Sequence, residues 1–315
     1  MLALMLPAIH HARDAARSVD CKNRLKQMMI SLHVYHDSHE TFPPGYVAIM
    51  GIKGDTRENG WAWTAFLLPY LEQGPLFSSI DFESGLSTAT PTDANNGSFG
   101  TTATSNVSLV STRINMLTCP VDTAPPTVPR NDPVLGAVDY ATTSYSGMTG
   151  IHWMQLPCAT IVLKPGEEIP ELTATPCRPS EGVFYVNSRS RFLDIIDGTS
   201  STIGVGEVSW RFDHPEGSPS RPYKNVAGGS QWARVSDPSA SEHVLTATEP
   251  GINHPDQQGY SPGLSSNHLG GAHVGMIDGS VRYVSELIES NPQAPYGLLQ
   301  HLSTIRGHEP VIDEF

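Results

Sequence analysis

The chain has 315 residues, 19 Lys and Arg against 32 Asp and Glu, and a formal net charge of −13. It is long enough to bury a substantial core as one large or two modest domains, and its acidic balance argues against nucleic acid as a partner, since phosphate binding needs clustered Lys and Arg. With 28 Gly, 26 Pro and only 16% charged residues, it reads as a loop-rich β body and not as a helical bundle.

The first forty residues carry the longest helical period. Met5, Ile9, Ala12, Ala16, Val19, Leu25, Met28, Met29, Leu32 and Tyr35 recur mostly three or four apart, on one face of a helix. At ~1.5 Å per residue such a helix spans roughly 55–60 Å. Phe42-Pro43-Pro44-Gly45 stops it, because proline cannot continue a helix and glycine releases the backbone. The apolar run Met1 to Ile9 falls well short of the ~20 residues that cross a bilayer, and it is too short for a signal peptide. The chain therefore divides into a helix over 1–40 and a β-rich head over 41–315.

Within the head, 45–60 reads as a loop and 61–73, WAWTAFLLPYLEQ, as a second helix broken at Gly74-Pro75. Residues 83–106 are poor in large apolar side chains and are expected to be an exposed insertion. Residues 107–118 alternate apolar positions and lead to Cys119-Pro120, and 121–138 are expected to be irregular. Strands are expected at 139–147, 182–186 and 199–208, the last following an Asp197-Gly198 turn. Residues 213–263 are again rich in Gly, Pro and Ser. Ala272–Ile277 and Ser280–Val284 flank Asp278-Gly279, which predicts a hairpin with a type I′ turn. Residues 295–305 are expected to form a short helix.

Four cysteines, Cys21, Cys119, Cys158 and Cys177, form no C-x-x-C pair, so zinc-ribbon and thioredoxin readings are weak. Cys158 and Cys177 bracket a short loop that a disulfide would staple, in an oxidising compartment; four unpaired thiols is the alternative. The preferred connectivity is Cys21 with Cys119 and Cys158 with Cys177, one of three for four cysteines. His33, His36 and Asp37 share a helix face and are weak candidates for a metal site. Asp197 and Asp278 sit in turns that suit calcium, although Asp side chains bond their own backbone in such turns. His268 and Asp278 are a conceivable acid–base pair, without a nucleophile beside them. Gly204-Val205-Gly206 is only part of a dinucleotide fingerprint and reads better as a strand closely approached by a neighbouring backbone. No catalytic residue and no cofactor is assigned, calcium being the one cofactor considered.

Several stretches together carry a resemblance. They are LPAIHHARDAARSVDCKNRLKQMMISLHVYHDSHETFPPG, WAWTAFLLPYLEQ, INMLTCPVD, IIDGTSSTIGVGEVS and SSNHLGGAHVGMIDGSVRYVS. The motif positions are Cys21, Leu25, Lys26, Gln27, Pro43, Pro44, Gly45, Cys119, Pro120, Asp197, Gly198, Thr199, and the His-x9-Asp-Gly group His268, Asp278 and Gly279. Over nearly its whole length the chain resembles the bacterial, prepilin-like domain of unknown function 1559.

The resemblance implies an α+β, pilin-like fold, with a long N-terminal helix packed on an antiparallel sheet that bears large loop insertions. It implies no catalytic activity. Relatives usually carry a Gly-Phe-Thr-Leu-Val-Glu motif and an apolar run before Leu-Pro-Ala, so the helix is expected to be the lower part of a longer one. The expected role is that of a pseudopilin-like structural protein of a type II secretion or type IV pilus-like system. Its expected partners are sister subunits, met through the helix, and the inner membrane if an apolar segment lies upstream. The expected location is the cell envelope, with a periplasmic or extracellular head. The alternatives are a tethered binding module for a glycan or small ligand, marked by exposed Trp153, Trp210 and Trp232, and, less favoured, a metal-dependent enzyme.

Overall fold

The computed structural model describes residues 2–47, 60–82, 87–93, 98–132, 135–152, 181–210, 230–231, 233, 244–254 and 263–307. Helix α1 runs from Leu2 to His39 and ends as the periodicity predicts, where Glu40 turns left-handed (φ 60°) ahead of the two prolines. Helix α2 is short, Trp63–Leu67, and tightens into a 3-10 turn at Leu68–Leu71. The expected single helix over 61–73 divides there because Pro69 has no N–H to give to Ala65 and its ring crowds that carbonyl. Pro75 then occupies the first turn of α3, Gly74–Ser79, where a missing donor costs nothing.

Residues 83–106, expected to be an insertion, hold a separate antiparallel pair of β1, Ser87–Asp93, and β2, Ser98–Ala103. Low hydrophobicity hid strands whose β-branched threonines favour extended backbone. The alternation over 107–118 is not a strand either. It becomes α4, Asn106–Leu109, and a 3-10 turn at Asn115–Leu117. The stretch expected to be irregular forms β3, Thr127–Asp132, paired antiparallel with β4, Gly136–Thr143. Tyr145–Gly150 is β5. Residues 182–186 are not a ladder strand. Gly182 and Phe184 donate N–H bonds to Thr149 O and Met148 O, and Val186 bridges Tyr46. A 3-10 turn, Phe192–Asp194, precedes β6, Ile203–Glu207. The remaining elements are β7 (Ser230–Gln231), β8 (Leu245–Ile252), β9 (Gly263–Leu264), β10 (Gly271–Met276), β11 (Val281–Ser285) and α5 (Leu298–His301).

The fold is α+β. Among the described residues its main sheet has six strands in the order β11-β10-β6-β5-β8-β9. The first three pairings are antiparallel, but β5 pairs β8, and β8 pairs β9, in parallel, so the sheet is mixed where an antiparallel one was expected. Helix α1 and α2 cover one face, with Leu25, Met28, Met29, Leu32, Trp61 and Trp63 fully buried. On the other face Val274, Met276 and Ile203 pack on Leu299 and Leu302 of the C-terminal segment.

Two glycines let α1 lie flat on the sheet. A Cβ on Gly275 would stand 2.5 Å from Met29 Sδ, and one on Gly204 would meet Ile277 and Met29. The Gly204-Val205-Gly206 strand is thus closely approached by side chains, not by a second backbone. The tail hairpin forms as expected, with a different turn. Only Gly279 takes a positive φ (87°), and Ile277, Asp278 and Gly279 make a three-residue connection closed by Gly279 N–H to Met276 O at 2.9 Å.

Candidate functional site

Cys21 marks the point where α1 reaches the head. Residues 12–17, 19 and 20 before it are exposed, whereas Cys21, Leu25, Met28 and Met29 are buried. A disulfide joins Cys21 to Cys119 across 98 residues, the expected pairing. The other expected pair, Cys158 with Cys177, lies outside the described residues. Arg24, one turn along, donates from Nη1 to Asn115 O at 2.6 Å and to Thr118 O, holding the approach to Cys119. Tyr145 donates to Cys21 O at 3.2 Å from β5.

Beside the disulfide stands Glu207, the last residue of β6 and only 2% exposed. Its Oε2 accepts the His273 backbone N–H at 2.8 Å and lies 3.2 Å from His273 Nδ1. Its Oε1 faces His268 Nε2 at 3.4 Å without a hydrogen bond. His268 Nε2 is also 3.5 Å from Cys119 Sγ, and His273 Nε2 is 3.3 Å from Ser18 Oγ on α1. Burial alone raises the Glu207 carboxyl, but the two imidazoles and the His273 N–H outweigh it and bring it down to about 2. The same burial, followed by the Glu207 charge, holds the Tyr145 hydroxyl well above its usual range. Asp122, nearby, is pushed up by burial despite bonds from Ser144 Oγ and the N–H groups of Trp210 and Ala124. A groove of about 500 Å³ opens over the cluster between α1 and the tail hairpin, lined by Ser18, Lys22, His268, Leu269, His273 and Tyr283.

The expected metal face on α1 is spent on packing. His33 Nε2 lies 2.8 Å from Ile277 O and so carries a proton, while His36 Nε2 accepts the Phe192 N–H at 3.4 Å. The His33 ring meets Phe192 edge-on and the His36 ring lies tilted against it, and Asp37 is exposed. Lys26 donates to Gly279 O at 2.7 Å, so Lys26 and His33 together grip the Asp278-Gly279 turn. Asp278 Oδ1 accepts the Ser280 N–H at 2.8 Å and its own N–H reaches Thr199 O, which joins the two Asp-Gly turns. Asp197 Oδ2 accepts Gly307 N–H and Thr304 Oγ1, strapping down the C-terminal segment. His268 and Asp278 therefore serve different partners. Gly45 donates to Tyr185 O, Pro43 and Pro44 carry the chain off α1, and Gln27 and Pro120 are exposed. Of the three tryptophans, only Trp210 lies among the described residues, half-buried.

The quoted motifs are far apart in sequence, yet Cys21, Cys119 and His268 meet at one point. A family model described as "Protein of unknown function (DUF1559)", short name SBP_bac_10, matches residues 10–291. The chain belongs to this family. No curated protein and no solved structure matches it.

In this DUF1559 chain, sequence reasoning missed Glu207, His273 and Ser18. One signal was available: Ile-Gly-Val-Gly-Glu ends an otherwise apolar strand on an acid, and an acid at a buried position needs partners. Carboxylate, imidazole and hydroxyl align in Glu207–His273–Ser18 as they do around an activated nucleophile. An acyl-transfer site also needs donors for an oxyanion. The N–H groups flanking Ser18 are committed to the helix ladder, and the Ser18–His273 contact links α1 to β10.

Proposed function

We propose that this chain is a pseudopilin-like structural protein of the cell envelope that assembles through α1. The observation that carries the reading is the asymmetry of that helix. Its later half is sealed into the head by Leu25, Met28, Met29, Leu32 and the disulfide. Its earlier part leaves Ile9 (47% exposed) and Val19 (56%) in solvent, with Ala12, Ala15 and Ala16 between them. Small and apolar side chains on an uncovered helix are what close helix–helix packing requires. Membership of DUF1559 and the long N-terminal helix support the same reading. No helix of the described residues is long and apolar enough to cross a membrane.

The test is photo-crosslinking of the full chain in its producing cells, with the probe placed at Ala16. A ladder of self-adducts in the envelope fraction is expected. Monomer alone, or adducts equally strong from a probe at exposed Leu287 on the head, defeats the proposal.

One observation favours the binding-module alternative. A cavity of about 670 Å³ is lined by Tyr185, Arg189, Tyr296 and Arg306, a size and chemistry suited to a small polar ligand. Changes in tyrosine fluorescence on titration with acidic sugars would support it, and a Tyr296→Ala chain responding equally would remove it.

A further inference from the structure

The cluster around the disulfide holds a feature that neither helix docking nor assembly uses. The Cys21 and Cys119 sulfurs, a Glu207 oxygen and a His268 nitrogen all lie within 4.8 Å of one another. We propose that, when Cys21 and Cys119 are reduced, these four side chains form a four-coordinate Zn(II) site, which disulfide formation abolishes.

Three observations carry this beyond mere proximity. First, the His268 edges to Cys119 and Glu207 already match. With Zn–S near 2.3 Å and Zn–N and Zn–O near 2.0 Å, a tetrahedron has S···N and N···O edges of about 3.5 and 3.3 Å. Cys119 Sγ to His268 Nε2 is 3.5 Å and His268 Nε2 to Glu207 Oε1 is 3.4 Å. The two sulfurs must part to about 3.8 Å, and the remaining ligand pairs start within 4.8 Å of one another, so side-chain rotation completes the tetrahedron.

Second, Glu207 Oε1 is buried on a side chain 2% exposed, and His268 Nε2 faces it at 3.4 Å without a well-formed hydrogen bond. A buried carboxylate oxygen in that state is an open ligand position. Third, the outer layer is in place. Glu207 Oε2 is held by the His273 N–H and imidazole, and the His268 loop is held by Ser266 Oγ on its own N–H and by Asn267 Nδ2 on Val121 O. Such partners orient the ligands before metal arrives. The groove reaching His268 is the access route.

The chemistry balances with a dithiol as reductant. The dithiol gives two electrons and two protons to the Cys21–Cys119 bond and leaves as its own cyclic disulfide. Zn(II) then displaces the two thiol protons. Either state bridges α1 to the Cys119 turn, covalently when oxidised and by coordination when reduced.

The test uses the full chain with Cys158→Ser and Cys177→Ser, so that Cys21 and Cys119 are the only thiols. The chain is reduced with dithiothreitol, desalted without oxygen and titrated with Co(II), then Zn(II). One equivalent of Co(II) with sulfur-to-metal charge-transfer and tetrahedral ligand-field bands is expected, displaced by Zn(II), with none in the oxidised chain. Glu207→Gln and His268→Gln should each weaken Co(II) binding at least about tenfold. If reduction loosens the fold, Zn(II) must raise the thermal midpoint of the reduced chain and leave that of the oxidised chain unmoved. Equal Co(II) binding by reduced and oxidised chains, undiminished binding by both variants, or no Zn(II) effect on the reduced midpoint overturns the proposal.

Discussion

Glu207 concentrates the electrostatics of the head in one carboxylate. Its folded-state value of about 2 lies below the ordinary 4.5, so the unfolded chain binds its proton more readily. Stability from this group is complete above about pH 4.5 and is lost as pH falls toward 2, amounting to on the order of 3 kcal/mol. We expect acid unfolding to steepen in that window and Glu207→Gln to flatten it, with denaturant midpoints measured from pH 2 to 7. At neutral pH the same variant should cost about 1.5–3 kcal/mol, because the His273 N–H and imidazole lose their charged acceptor. Gly275 is a second sensitive residue. Gly275→Val should cost roughly 1–3 kcal/mol by prising Met29 and α1 off β10, read in urea unfolding. At this scale the cysteine pairing was legible in part, but the partners of Glu207 were not. His268 and His273 lie more than sixty residues away, and no local pattern marks a contact made by tertiary approach.

Helix α1 is the element that joins the head to the proposed assembly surface. Its docked half rests on Leu25, Met28, Met29 and Leu32, and its cross-link closes a loop of 98 residues. Removing the bond with Cys21→Ala and Cys119→Ala should lower stability by about 2–5 kcal/mol, measured by guanidinium unfolding without reductant. The helix was legible because its 3.6-residue period is a local property and two prolines end it. The tail hairpin was legible for the same kind of reason, although its turn uses left-handed geometry at Gly279 alone. Strands over 87–103 and 127–132 escaped notice. They draw on partner strands for their pairing, and their sequences lack the alternating apolar pattern on which such a reading depends.

For the whole molecule, net charge opposes the association proposed through α1. At −13, copies of the chain repel one another, and salt screens that repulsion. Self-association through the helix should therefore strengthen between low and physiological ionic strength, in sedimentation experiments, and Ala16→Glu should abolish it. Association that weakens with salt would point instead to the charged head. The mixed sheet belongs to this scale too. β5 receives β6 from one side and β8 in parallel from the other, and the long stretch between them in sequence gives no sign of the direction in which it returns.

By itself the sequence determined the long N-terminal helix, its end at Phe42-Pro43-Pro44-Gly45, the α+β character of the head and the family. These rest on periodicity, on proline and glycine chemistry, and on motifs read along the chain. Only the tertiary structure decided that Cys21, Cys119, Glu207 and His268 meet, that Lys26 and His33 grip the Asp278-Gly279 turn, and that Gly204 and Gly275 are the bed on which α1 lies. Those contacts span up to about 250 residues of sequence. They form because burying α1 on the sheet brings distant polar groups out of water together, where each must find a partner or stand ready for one.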